Sequence, residues 1–235
     1  MTAAEVLDEL QALGNPSIKK VLAKHGAREP FHGVKVEDLQ KVRKRIKVDH
    51  SLALELYDSG ISDAMYLAGL IADDPCMTRA NLERWVNGAY WSMLAEYTVP
   101  WVASGNPLGL QLAREWVESP EETIASAGWS TLSCLVSLKP DAELPLDELE
   151  GRLNLIADSI HQQPNRVRYV MNGFVMSVGC CVLPLGEAAW QTARAIGPVA
   201  VNMGETSCKV PLAAEMIENV RTRGTLGKKK KSVKC

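Results

Sequence analysis

LERWVNGAYWSMLAEYTVPWVASGNPLGLQLAREWVESPEETIASAGW, residues 82–129, carries Trp85, Trp91, Trp101, Trp116 and Trp129, five of the six tryptophans in the chain. Its punctuation decides the fold class. Tyr90, Leu94, Tyr97 and Trp101 recur at three and four spacing, which is one face of a helix and reads first as core. Pro100 inside that run is expected to kink or end it. Asn106-Pro107 pairs an N-cap residue with Pro at the first helical position, where its missing N–H costs nothing. Ser119-Pro120-Glu121-Glu122 is a second helix start, leading to Val136. One helix follows another, with no period-2 alternation between them.

The same grammar extends outward in both directions. Towards the N-terminus, helices are predicted over 3–12, 16–25, 36–47, 49–57, 62–71 and 79–86. Gly14, Gly26, Ser59-Gly60 and Asp73-Asp74-Pro75 end four of them. Phe31-His32-Gly33 is a linker. Towards the C-terminus, helices are predicted over 146–162, 164–181, 184–196 and from Pro211 to Arg223-Gly224. The short run around 199–201 looks strand-like but is too brief to count. About a dozen helices of roughly 12 residues with short links are too many for a four-helix bundle. The expected architecture is all-α, an α-α superhelix of antiparallel helix pairs stacked as a solenoid. The expected organisation is a single domain over 1–226 and a disordered basic tail over 227–235.

Of the 235 residues, 46% are hydrophobic and 23% charged, an ordinary globular balance. No apolar run approaches the ~20 residues of a membrane span, and the acidic start MTAAEVLDELQAL is not a signal peptide. The cysteines, Cys76, Cys134, Cys180, Cys181, Cys208 and Cys235, form no C-x-x-C pair, and no histidine stands at ligand spacing to any of them. They read as reduced thiols of a cytoplasmic protein with no metal and no cofactor. Net charge is −2, yet the tail alone holds Lys228 to Lys231 and Lys234, leaving 21 basic against 28 acidic residues elsewhere. An acidic body with local basic patches allows a positive stripe on one face.

Two patches stand out. Lys35, Lys41, Arg43, Lys44, Arg45 and Lys47 crowd one helix, with Leu39, Val42 and Ile46 on its buried side. Lys41, Lys44 and Arg45 share a face that Lys47 continues. The plain reading is a solvated outer face; the functional one is contact with a phosphate backbone. Arg166 and Arg168, in Asn165-Arg166-Val167-Arg168-Tyr169, splay to different faces at a helix start whose N–H groups could also take a phosphate. Among the aromatics, Trp91 falls off the Tyr90 stripe by roughly 100°. Its neighbours on that side, Ala95 and Thr98, are small, which predicts a ring facing a ligand. Glu96 is the one carboxylate between Tyr90 and Trp101. Beside an aromatic cleft it could support an electron-poor sugar or activate water; the plainer reading is a surface glutamate.

These stretches resemble the DNA alkylation repair proteins of the HEAT-like-repeat DNA glycosylase class. The resemblance rests on DHSLALELYDSGISDAMYLAGLIAD (49–73), YWSMLAEYTVPWVASG (90–105), AGWSTLSCLVSLKP (127–140), NRVRYVMNGFVMSVG (165–179) and MGETSCKVPLA (203–213), then the lysine-rich end. It implies a curved superhelix that holds duplex DNA in a concave basic and aromatic groove, as a monomer. In active members it implies metal-independent release of cationic alkylated purines such as 3-methyladenine and 7-methylguanine. Carried over by position, Trp91 matches the first functional tryptophan and Trp129 the second, and Phe174 stands at the third aromatic. Ala95 occupies the place of the catalytic aspartate, and Ser130, Thr131 and Leu132 follow Trp129 where an arginine is expected. The resemblance therefore implies binding to alkylated or distorted duplex DNA, with Lys41, Lys44, Arg45, Lys47, Trp91, Trp129, Arg166, Arg168 and Phe174 as contacts. It argues against excision, for which Glu96 is the remaining candidate. The alternative is a helical-repeat scaffold for protein interactions that has lost DNA. A protein on DNA would be nucleoid-associated.

Overall fold

The computed structural model describes residues 1–234. In chain order the helices are α1 (Ala3–Ala12), α2 (Pro16–Lys24), α3 (Val36–Ile46), α4 (His50–Asp58), α5 (Ser62–Ile71), α6 (Arg79–Gly88), α7 (Val99–Ser104), α8 (Gly109–Trp116), α9 (Glu122–Leu138), α10 (Leu146–Ser159), α11 (Asn165–Cys181), α12 (Gly186–Ile196) and α13 (Ala213–Thr222). A π-helical turn, Leu94–Thr98, leads into α7. No strand occurs among the described residues, including the run at 199–201. The helix starts are the ones the sequence marks. Thr2 and Glu5 close a capping box, Asn15 accepts from Ser17 and Ile18, Asp49 accepts from Leu52, and Thr78 exchanges bonds with Asn81.

The described residues gather into two compact units. The first holds 1–109, 203–207 and Lys234; the second holds 110–202 and 208–233. In the first unit α5 is the axis. Every residue from Ser62 to Ile71 is buried, and α1, α3, α4, α7 and the π turn pack around it. A helix apolar on all sides is stable only when enclosed in this way. Gly69 lets the π turn come close, since a Cβ there would lie 2.6 Å from Thr98 Cγ2. Asp63, at the start of α5, accepts from the backbone N–H of His32 and Val34 at 2.6 and 2.8 Å. The linker around Gly33 is thereby pinned to the core helix.

Pro100 acts through the π turn. It has no N–H to offer the carbonyl of Glu96, so the α-helical ladder cannot pass through it. The chain widens instead, and Val99 N–H bonds to Leu94 O, five residues back. The widening breaks the stripe expected from sequence: Leu94 and Trp101 are buried, while Tyr97 is exposed.

In the second unit α11 is central, packed by α9, α10, α12 and α13. Leu132, Leu149, Phe174, Val175 and Val178 form the middle of its core. Burying each of these large side chains contributes about 1.5–3 kcal/mol. Gly128 lies against the end of α8, where a Cβ would come within 2.6 Å of Val117 N. Residues 227–234, expected to be a free tail, are held: Lys229 pairs with Asp141 at 2.7 Å in the second unit, and Lys234 with Asp74 at 2.6 Å in the first.

Candidate nucleic-acid interface

α3 presents the basic face that the sequence predicts, and its charges divide into two kinds. Glu37 and Asp38 sit in its first turn and Arg43, Lys44 and Arg45 in its last, the order that complements the helix dipole. Lys41 bonds Asp38 at 2.7 Å and Arg45 pairs with Glu9 of α1. Both cations are exposed but neutralised locally. Lys44 and Lys47 are exposed and make no ion pair among the described residues. Lys47 caps the helix with φ +66° and ψ −119°, a backbone region that side chains seldom enter. The face thus offers two cations, not four.

The aromatic residues are folded inward. Trp91 is 6% exposed, and its indole N–H donates to the Ser62 hydroxyl at 2.9 Å. This corrects the expectation of a ring open to a ligand. A buried indole takes an acceptor for its N–H, and Ser62 at the start of α5 supplies one, a pairing that helical spacing around Trp91 cannot reveal. Tyr90 beside it donates to the carbonyls of Gly60 and Pro30 at 3.2 and 3.3 Å. Trp129 and Phe174 meet edge to face at 5.3 Å, both buried. Their rings serve the core of the second unit. Ala95 is buried in the π turn. Glu96 is 6% exposed and engaged within the fold, so it is not the surface glutamate of the plainer reading.

The second basic spot is also occupied. Arg166 N–H at the start of α11 donates to Glu122 Oε1 at 2.6 Å, so a carboxylate already takes the place proposed for a phosphate. The Arg166 guanidinium lies over the Tyr169 ring at 4.4 Å. Arg168 reaches Asn165 Oδ1 at 3.4 Å, and its Nε is buried without a partner.

Sequence reasoning missed an arginine that stands beside Trp129. None follows Trp129 in the chain, but Arg152 from α10 lies over its ring at 5.6 Å. Glu148 holds Arg152 at 3.0 Å from one oxygen and accepts from Arg114 Nε of α8 at 2.8 Å on the other. The Arg114 guanidinium, with Arg152 adding to it, pulls the Glu148 carboxyl below its ordinary range. Two guanidiniums on one carboxylate leave a net positive charge next to the aromatic pair. The Glu148/Arg152 spacing of four was legible as a helix pair; the crossing to Arg114 was not.

Asn172 is the other residue whose role emerges only in three dimensions. It is buried beside Phe174, and its side-chain NH2 donates to Pro211 O at 3.0 Å. The Ser207-Cys208-Lys209-Val210-Pro211 segment is thereby tied to α11, with Cys208 and Lys209 left exposed. No group of three or more His, Cys, Asp or Glu among the described residues is arranged to hold a metal ion. No single described helix is long and apolar enough to cross a membrane.

Comparison with known proteins matches this arrangement from sequence and from structure. An uncharacterised protein of Listeria innocua serovar 6a is 37% identical over 223 residues, covering 92% of this chain and 95% of the relative. A second, from Listeria monocytogenes serovar 1/2a, is 36% identical over the same shares. A solved structure superimposes with a TM-score of 0.91 at 36% identity, covering all of both chains. It is described as representing a new family of proteins related to the HEAT-like repeat DNA glycosylases with affinity for branched DNA structures. The architecture is accordingly the HEAT-like repeat fold. The profile of the DNA alkylation repair enzyme family matches residues 6–179. This chain belongs to the DNA alkylation repair enzyme family.

Proposed function

We propose that the protein binds DNA through its phosphate backbone, favours branched over linear duplex, and excises no base. The observation that carries this reading is the state of the aromatic positions. Trp91, Trp129 and Phe174 are buried against protein partners, and Ala95 stands where active members of the family hold an aspartate. Rings already committed to the core are poor tools for gripping a base, and alanine cannot stabilise the cationic sugar that departure of an alkylated base leaves behind. Exposed cations without local partners, Lys44 and Lys47 first, remain free to displace counterions from DNA. The affinity of the structural relative for branched DNA supports a junction as the preferred form.

The test has two arms. Binding of a labelled four-way junction is competed with linear duplex of the same arm sequence; the junction is expected to win. DNA treated with a methylating agent is incubated with the protein; no methylated purine is expected to be released, and Glu96→Gln should leave that result unchanged. Equal affinity for both DNA forms would remove the branch preference, and release of methylpurines would overturn the non-excising assignment. A scaffold for protein partners is the second reading, favoured by the internal pairing of Lys41 and Arg45. It predicts no binding to either DNA.

A further inference from the structure

The lysine-rich end of the chain is built into the second unit rather than trailing from it. After α13, Gly227 N–H bonds to Cys180 O at 2.9 Å, at the end of α11. Lys229 Nζ donates to Val136 O at 2.8 Å, in the last turn of α9, and pairs with Asp141 at 2.7 Å. Lys230 N–H bonds to the next α9 carbonyl, Ser137 O, at 2.8 Å. The last carbonyls of a helix lack intrahelical partners and carry its negative dipole end, so a lysine ammonium and a backbone N–H are suited to that place. Only one fifth of the Lys229 side chain is exposed.

Its neighbours behave differently. Lys228, Lys230 and Lys231 are exposed, and their side chains make no ion pair among the described residues. Pinning Lys229 and the Lys230 N–H fixes where these three cations stand. Three residue steps span at most about 10 Å, so the three cations are held close together. Val136 lies seven residues beyond Trp129, about 10 Å along α9. The cations therefore stand at the far end of the helix that carries Trp129.

We propose that residues 227–231 form a docked cationic ridge, anchored by Lys229, whose Lys228, Lys230 and Lys231 contact backbone phosphates of bound DNA. The proposal rests on the DNA-binding reading above. A free basic tail would attract phosphate too, but it would lose conformational freedom on binding; the ridge has lost it already on folding.

The experiment uses the full chain and a labelled four-way junction, with affinity measured against salt concentration. For the Lys228→Ala/Lys230→Ala/Lys231→Ala variant, the slope of log K against log salt is expected to fall in magnitude by about 2–3, near 0.9 per phosphate contact, with Tm unchanged. For Lys229→Met, the slope is expected to persist, the affinity to fall several-fold and Tm to drop by about 2–4 °C. An unaltered slope in the triple variant, with the native protein still binding, overturns the ridge while leaving DNA binding intact. An unaltered Tm in Lys229→Met overturns the anchor. A native protein that binds no DNA at low salt overturns both the ridge and the reading beneath it.

Discussion

Three residues carry opposed demands that can be measured separately. Lys47 ends α3 at φ +66°, where a side chain clashes with its own backbone. Lys47→Gly is expected to raise stability by about 1 kcal/mol, the relieved strain exceeding the entropy that glycine adds to the unfolded chain. The same change should weaken DNA binding, because the free cation is gone. Denaturant unfolding and a binding titration on one preparation check both signs. Ser62→Ala removes the acceptor of the Trp91 indole and should cost about 1–3 kcal/mol, the usual cost of stranding a buried donor. An unchanged unfolding midpoint would mean that the bond contributes little. Glu148 gives a pH signature. Its native carboxyl titrates below the ordinary 4.5, chiefly through Arg114, so above 4.5 it is charged in both states and its contribution is complete. As pH falls below 4.5 the unfolded chain takes the proton first, and the contribution fades until the native value is passed. The stability difference between the native protein and Glu148→Gln should therefore be flat from pH 7 to 5 and shrink as pH falls below 4.5. A difference that grows on acidification would contradict the pairing.

At the scale of elements, the π turn explains both what could be read ahead of the structure and what could not. Gly69 on α5 faces Thr98 in that turn, and an added Cβ would meet Thr98 Cγ2 at 2.6 Å. Gly69→Ala should destabilise by about 1–3 kcal/mol through overpacking, and Thr98→Ala in the same chain should recover much of it. Additive losses in that double-mutant cycle would place the strain elsewhere. Helix starts were legible to within a residue or two, because caps and prolines act locally: Thr2, Asn15, Asp49 and Thr78 each satisfy N–H groups within three residues of themselves. Helix faces were less so. The predicted stripe fails inside the widened turn before Pro100, where Glu96 is buried and Tyr97 exposed. The basic face of α3 was visible in the spacing of its lysines. Its partial neutralisation by Glu9, from a different helix, was not, and neither was Arg152 arriving over Trp129 from α10. Contacts between helices distant in sequence leave no periodic trace.

At the scale of the whole molecule, the sum of the charges misleads. A chain of net charge −2 is not an obvious partner for DNA, yet the charges that matter are those without internal partners. Several cations are cancelled at home: Lys41, Arg45, Lys229 and Lys234 each sit on a carboxylate. Lys44 and Lys47 on α3, and Lys228, Lys230 and Lys231 near the C-terminus, are not. Trp91, Trp129 and Phe174, the aromatic positions that the resemblance implies, are buried, so the proposed DNA binding rests on phosphate contacts. Affinity carried that way has one unmistakable property, its dependence on salt. The most direct measurement is the affinity for a four-way junction across a salt series, for the native protein and for Lys44→Ala/Lys47→Ala. The account predicts tight binding at low salt, a steep linear decline of log K with log salt, and a slope lower in magnitude by about 2 in the double variant. Binding that ignores salt, or a slope that the two alanines leave untouched, would contradict it.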